Sequence, residues 1–80
     1  MSDNPGQNGF PQRLQDLRQR LYWSQQELSE QAGVSRKTIW NWEHGETAPR
    51  TSSWQLKRVA EVLRVPLGTL VYGEEKRGNA

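Results

Sequence analysis

The residues with the most chemistry to offer lie in one short stretch, Ser35-Arg36-Lys37-Thr38-Ile39-Trp40-Asn41-Trp42-Glu43-His44-Gly45. At helical spacing Arg36, Lys37, Trp40, Asn41 and His44 fall on one side, and Ile39, Trp42 and Glu43 on the other. The first group can read nucleobase edges: Arg and Lys donate to guanine O6 and N7, and Asn bonds adenine bidentately. Ile39 and Trp42 supply the apolar face that a core needs. A solvated helix face carries similar polar residues, so the reading turns on what precedes this helix. Catalysis finds no comparable set. The chain has one histidine, His44, no cysteine and no Asp/Glu cluster at ligand spacing. Neither a nucleophile–base pair nor a metal site can be assembled from these, and nothing calls for a cofactor.

The elements that must position this stretch belong to a chain of 80 residues, short enough for one domain. Leu, Ile, Val and Phe number only 15 of the 80, which raises disorder, but the net charge of +2 and four tryptophans argue against it. Without cysteine there is no disulfide framework and no thiolate metal site. No apolar run approaches about 18 residues, and Met-Ser-Asp-Asn-Pro-Gly has neither a basic nor an apolar leader region. A soluble intracellular protein is the expectation. Residues 1–9, with Asn-Pro-Gly-Gln-Asn-Gly, read as a flexible arm, and 74–80 as a flexible tail. The body is 10–73. Between residues 11 and 73 nine Lys/Arg stand against six Asp/Glu, with Arg36, Lys37 and Arg50 around one helix.

The body is punctuated as helices throughout, so the fold class is all-α. Leu14, Leu17 and Leu21 mark one face of a first helix opening near Pro11. Ser24 and Glu27 form a capping box for a second helix, with Trp23 and Leu28 as a hydrophobic staple. That helix stops at Ala32-Gly33. Ser35 caps the third, Val34 staples to Ile39, and the helix ends near Glu43 with Gly45 as terminator. After the loop 47–51, Ser52 is expected to cap a fourth helix, with Gln55 completing a second capping box. Leu56, Val59, Ala60 and Leu63 give its inner face. Pro66 is expected to interrupt it, and Leu67, Leu70 and Val71 mark a short fifth helix ending at Gly73. Helices this short must share one core. Only Gly33, Val34 and Ser35 separate the second helix from the third, so the two cross steeply. This helix–turn–helix geometry puts a second helix into the DNA major groove. Gln25, in the first turn of the second helix, can hold a phosphate together with the free backbone N–H groups there. Ser35 and Thr38 are further phosphate candidates, although capping already explains Ser35.

The run from Ser24-Gln25-Gln26-Glu27-Leu28 through Ala32-Gly33-Val34-Ser35 to Ile39 and Glu43-His44-Gly45 resembles the helix-turn-helix of the Cro/phage-repressor (Xre-like) family. The likeness extends from about Leu14 and Arg18 to Leu63-Arg64-Val65 and Leu70. It implies a lambda-repressor-like five-helix bundle and a sequence-specific, repressor-like regulator of transcription that binds double-stranded DNA. It further implies a homodimer on a palindromic operator, in the cytoplasm of a bacterial or phage-type host. The recognition helix would be about 35–43, with base contacts from Arg36, Lys37 and Asn41; Trp40, outward-facing where the family usually has a polar residue, is a further base-contact candidate. Backbone contacts would come from Gln25, Ser35, Thr38, Arg50 and His44, with Gln25 also supporting the next helix. An ion pair between Arg18 and Glu43 would join helices one and three. The dimer contact would come from Leu67, Leu70, Val71 and Tyr72, which the core needs equally.

The chain departs from the family pattern at Tyr22, where glycine is common, so a different turn is expected there. It departs again at Glu46, where many relatives are basic, and in the length of the 45–53 loop. Trp40 packs against thymine methyls or sugar, or else covers Trp23 or Tyr22. Trp54 folds over the 45–53 loop, or is an exposed aromatic for a partner. The competing function is a protein-interaction module, such as an antitoxin or antirepressor partner, using Trp40, Trp54 and Tyr72.

Overall fold

A computed structural model describes residues 9–73. The expected arm and tail lie outside the described residues, with one exception. Gly9 accepts the Arg13 amide at 3.1 Å and is the N-cap of the first helix, so it belongs to the body. Five helices follow: α1 (Phe10–Arg20), α2 (Gln25–Ala32), α3 (Arg36–Glu43), α4 (Trp54–Leu63) and α5 (Leu67–Tyr72). Among the described residues there is no strand.

Local chemistry fixes most of the boundaries. Ser24 Oγ accepts the Glu27 amide while the Glu27 carboxylate accepts the Ser24 amide, a reciprocal capping box that starts α2. Gly33 ends α2 at φ 72°, a left-handed conformation that glycine takes without strain. Ser35 Oγ accepts the Thr38 amide and starts α3. Past Glu43, the Glu46 amide donates back to the Asn41 carbonyl and the Gly45 amide to that of Trp42, which closes α3 sharply.

Three boundaries differ from expectation. The cap of α4 is Ser53, not Ser52: Ser53 Oγ accepts the Gln55 and Leu56 amides at 3.1 and 3.4 Å. Starting one residue later puts Leu56, not Gln55, at the third helical position, so there is no second capping box. A turn in which the Ser53 amide donates to the Arg50 carbonyl leaves Ser52 in the loop. Nor does Pro66 end α4. Arg64 ends it first, in the left-handed conformation (φ 62°), and Pro66 then serves as N-cap of α5. At Tyr22 the turn keeps the backbone a glycine would adopt. Tyr22 lies at φ 61°, its amide donates to Gln19 and the Trp23 amide to Arg18, so a tyrosine occupies a left-handed helix exit.

The core gathers Leu14 and Leu17 of α1, Leu28 and Ala32 of α2, Val34, Ile39 and Trp42 around α3, Leu56, Val59, Ala60 and Leu63 of α4, and Leu70 of α5. Each large apolar side chain buried this way contributes about 1.5–3 kcal/mol. Phe10 meets Trp42 edge-on at 5.9 Å between ring centroids. α3 is held between α1 and α2, α4 closes over α2, and α5 bridges α1 and α4. That leaves the far side of α3 facing solvent.

Candidate nucleic-acid interface

The outer face of α3 carries Arg36, Lys37 and Trp40, all exposed, and Asn41, half-buried. With Gln25 from the start of α2 they line one shallow concavity of about 370 Å³. The sequence-derived reading residues therefore share one surface. Two cations, two side-chain amides and an indole make up its lining. Thr38, at the N-terminal turn, accepts from Ser35 Oγ at 2.9 Å. The Ser35 hydroxyl thus both accepts and donates within the cap, which commits it to holding the helix start. Arg50 is exposed on the following loop, and so is Glu46.

The inner side of α3 explains why this face is fixed. Arg18 grips Glu43 bidentately, Nε to Oε2 at 2.6 Å and Nη2 to Oε1 at 2.9 Å. Their side chains are only 12% and 1% exposed. Arg18 Nη1 also donates to the Trp23 carbonyl at 2.8 Å, and Gln25 Nε2 donates to Glu43 Oε1 at 3.0 Å. One carboxylate therefore ties α1 and α2 to the end of α3. A carboxylate at a helix C-terminus opposes the helix dipole, and the guanidinium offsets that. The Gln25 bond leaves its carbonyl oxygen and one N–H uncommitted. Supporting α3 and reaching a neighbour are compatible.

His44 caps the C-terminus of α3. Its ring lies on the Trp40 indole at 3.8 Å between centroids and 16° between planes. Its Nδ1 is 2.8 Å from the Trp40 carbonyl oxygen. A carbonyl can only accept, so Nδ1 carries the proton and Nε2 of the neutral ring is an acceptor. Donation from Nε2 to a phosphate requires the imidazolium form. Of the readings for Trp40, covering Tyr22 is excluded, since Tyr22 is 93% exposed. Trp54, at the start of α4, is 59% exposed.

Of the four residues named for a dimer contact, Leu70 is fully buried in the core of its own chain. It cannot meet a partner. Leu67 and Val71 are half-buried against the same core, which leaves Tyr72 exposed.

Two positioning residues escaped the sequence reading. Gln15 Nε2 donates to the Glu43 carbonyl at 3.0 Å, holding the C-terminus of α3 from α1. It sits one turn before Arg18, so the Arg18–Glu43 pair was the available signal. Arg13 donates to the Leu70 carbonyl at 2.9 Å and the Val71 carbonyl at 2.7 Å, capping α5. Burial lowers the Arg13 guanidinium from its ordinary value by desolvation. No local pattern marks a contact across 57 residues of chain. Among the described residues no group of three or more His, Cys, Asp or Glu could hold a metal ion. No described helix is long and apolar enough to cross a membrane.

The sequence model of the helix-turn-helix family matches residues 14–70. The chain is 38% identical over 66 residues to BcrR, an HTH-type transcriptional activator of Enterococcus faecalis. That match covers 82% of this chain and 31% of the relative, so the chain spans under a third of that relative's length. The P22 c2 repressor, solved in complex with a synthetic operator, superposes with a TM-score of 0.74 at 28% identity, covering 81% of this chain and 96% of that one. The N-terminal DNA-binding domain of SinR from Bacillus subtilis gives 0.72 at 30% identity, covering 86% and 96%.

Proposed function

This chain belongs to the helix-turn-helix family, and from that premise we propose that it is a sequence-specific, double-stranded-DNA-binding regulator of transcription with α3 in the major groove. The observation that carries this reading is the outward row Arg36, Lys37, Trp40 and Asn41 on a helix whose rear is clamped by Arg18, Gln25 and Gln15 through Glu43. Base edges are read by donors held at fixed positions, and that clamp removes the freedom of α3 to roll. Arg36 and Lys37 read guanine, and Asn41 reads adenine. Gln25, Thr38 and Arg50 take the phosphate backbone, with the Ser35 cap beside them and His44 as the further candidate at the other end of α3. These phosphate contacts set the register.

One such domain reads only a few base pairs, so the proposal includes a homodimer on a palindrome with half-sites about 34 Å apart. Tyr72 and the half-buried Leu67 and Val71 are the residues of α5 left to meet a second copy. The relatives include an operator-bound repressor and an activator. The proposal is therefore regulation, with the repressor-like sense as its first form. Selection of bound sites from random duplex DNA tests it. A recovered palindrome supports sequence reading and dimerisation together, and recovery of no preferred sequence overturns it.

A second reading rests on the exposure of Trp54 and Tyr72, 59% and 66%. These would serve a protein-interaction module such as an antitoxin or antirepressor partner. Salt separates the two, because binding through phosphates weakens steeply as salt rises and an apolar protein contact does not.

A further inference from the structure

We propose that Trp40 and His44 form a thymine-methyl reader: the Trp40 indole contacts the C5-methyl of one thymine in each half-site, and His44 is the positioning residue that holds it there. This rests on the duplex-binding reading above and names what one position of that interface recognises.

Trp40 is the one large apolar side chain of α3 outside the core, 43% exposed on a face otherwise made of cations and amides. Its conformation is nevertheless fixed. His44, one turn on, covers one face of the indole at 3.8 Å and anchors its own ring through Nδ1–H to the Trp40 carbonyl at 2.8 Å. Both attachments end on Trp40 itself, so ring and backbone are locked as a unit. A side chain already held in place loses less freedom when it meets a partner. Trp40 lines the concavity shared with Gln25, Arg36, Lys37 and Asn41.

Position then selects the ligand. Trp40 lies mid-way along α3, one turn past Arg36 and Lys37, so a helix seated in the groove brings it to the base edges and not to the flanking phosphates. The major-groove edges of guanine, cytosine and adenine are read chiefly through polar acceptors and donors, and thymine alone adds a methyl group, at C5. An indole pressed on polar edges would desolvate them without replacing their hydrogen bonds, since it offers a single N–H. Against a methyl it gains apolar burial at no such loss. Asn41, adjacent to Trp40, is suited to adenine, which places the two contacts on the same or neighbouring A·T pairs.

The test uses the full chain and the best duplex recovered by selection. Each thymine is replaced in turn by deoxyuridine, which removes the methyl and leaves the pairing intact. The wild-type chain should lose affinity about four-fold at one position per half-site, the factor that burying one methyl's worth of apolar surface carries. In Trp40→Ala the thymine-to-uracil ratio at that position should fall to one. His44→Ala should lower the same ratio, and His44→Phe, which keeps a stacking ring, should restore it. Loss of folding or of charge would weaken both duplexes alike and leave the ratio unchanged. If Trp40→Ala does not fold, the two His44 variants read the same ratio. Enrichment of no duplex would bring down this inference together with the reading it rests on. A bound duplex whose uracil versions all match their thymine parents overturns the methyl contact alone, as does an unchanged ratio in Trp40→Ala.

Discussion

Glu43 concentrates more of the architecture than any other single residue. Its carboxylate is 1% exposed and accepts from Arg18 and Gln25, while its carbonyl accepts from Gln15. Removing the guanidinium would strand a buried charge, which costs far more than the intact pair contributes. Arg18→Ala should therefore destabilise the fold by about 3–5 kcal/mol. Thermal melting checks this, and a shift no larger than that of the exposed Arg20→Ala would refute it. Arg36 makes the opposite case, since its side chain is exposed. Arg36→Ala should leave the melting temperature in place while weakening the selected duplex by about 1–3 kcal/mol and relaxing preference at one base. Titration against the selected duplex and its single-base variants measures both effects.

At the scale of the element, capping decides where helices begin and left-handed residues decide where they stop. Ser53→Ala should destabilise by about 1 kcal/mol, because its hydroxyl accepts two otherwise orphaned amides. Ser52→Ala should stay within about 0.5 kcal/mol. Denaturant melts of the two variants discriminate between neighbouring serines that look equivalent in the sequence. The α1 exit makes a complementary prediction. Tyr22 holds φ 61° with 93% of its surface exposed, so it bears the strain of that conformation without packing to offset it. Tyr22→Gly should stabilise by about 0.5–1 kcal/mol, the relief of strain less glycine's greater unfolded freedom. A chain of this size would then melt a few degrees higher, and an unchanged or lower midpoint would count against it. The expectation of a different turn at Tyr22 failed because bonds to the Arg18 and Gln19 carbonyls hold that backbone whichever residue occupies it.

For the whole molecule, net charge is a poor guide to the interface. The chain totals only +2, yet Arg36 and Lys37 share one face with Gln25 and Asn41. Their field is local. Asp16, Glu27, Glu30 and Glu61 lie on α1, α2 and α4, and none of them lines the concavity that these cations share. Affinity for duplex should fall as a power of salt concentration, and Arg50→Ala should lower that slope by about one while weakening all sequences equally. A salt titration on selected and unrelated duplexes checks both. A change confined to the selected sequence would make Arg50 a base reader instead of a phosphate contact.

The five helical segments, apart from the two ends of α4, the glycine turn between α2 and α3, and the division of α3 into inner and outer faces were all determined by the sequence alone. Each depends on residues no more than four apart: Ser24 with Glu27, Ser35 with Thr38, Ile39 with Trp42 and Glu43. Periodicity and capping are local physics, so they survive without knowledge of the fold. The tertiary structure decided what depends on the path of the chain. That Arg13 caps α5 depends on α1 and α5 meeting across 57 residues. The removal of Leu70 from the surface has the same origin, because burial belongs to the packed bundle and not to any helix by itself.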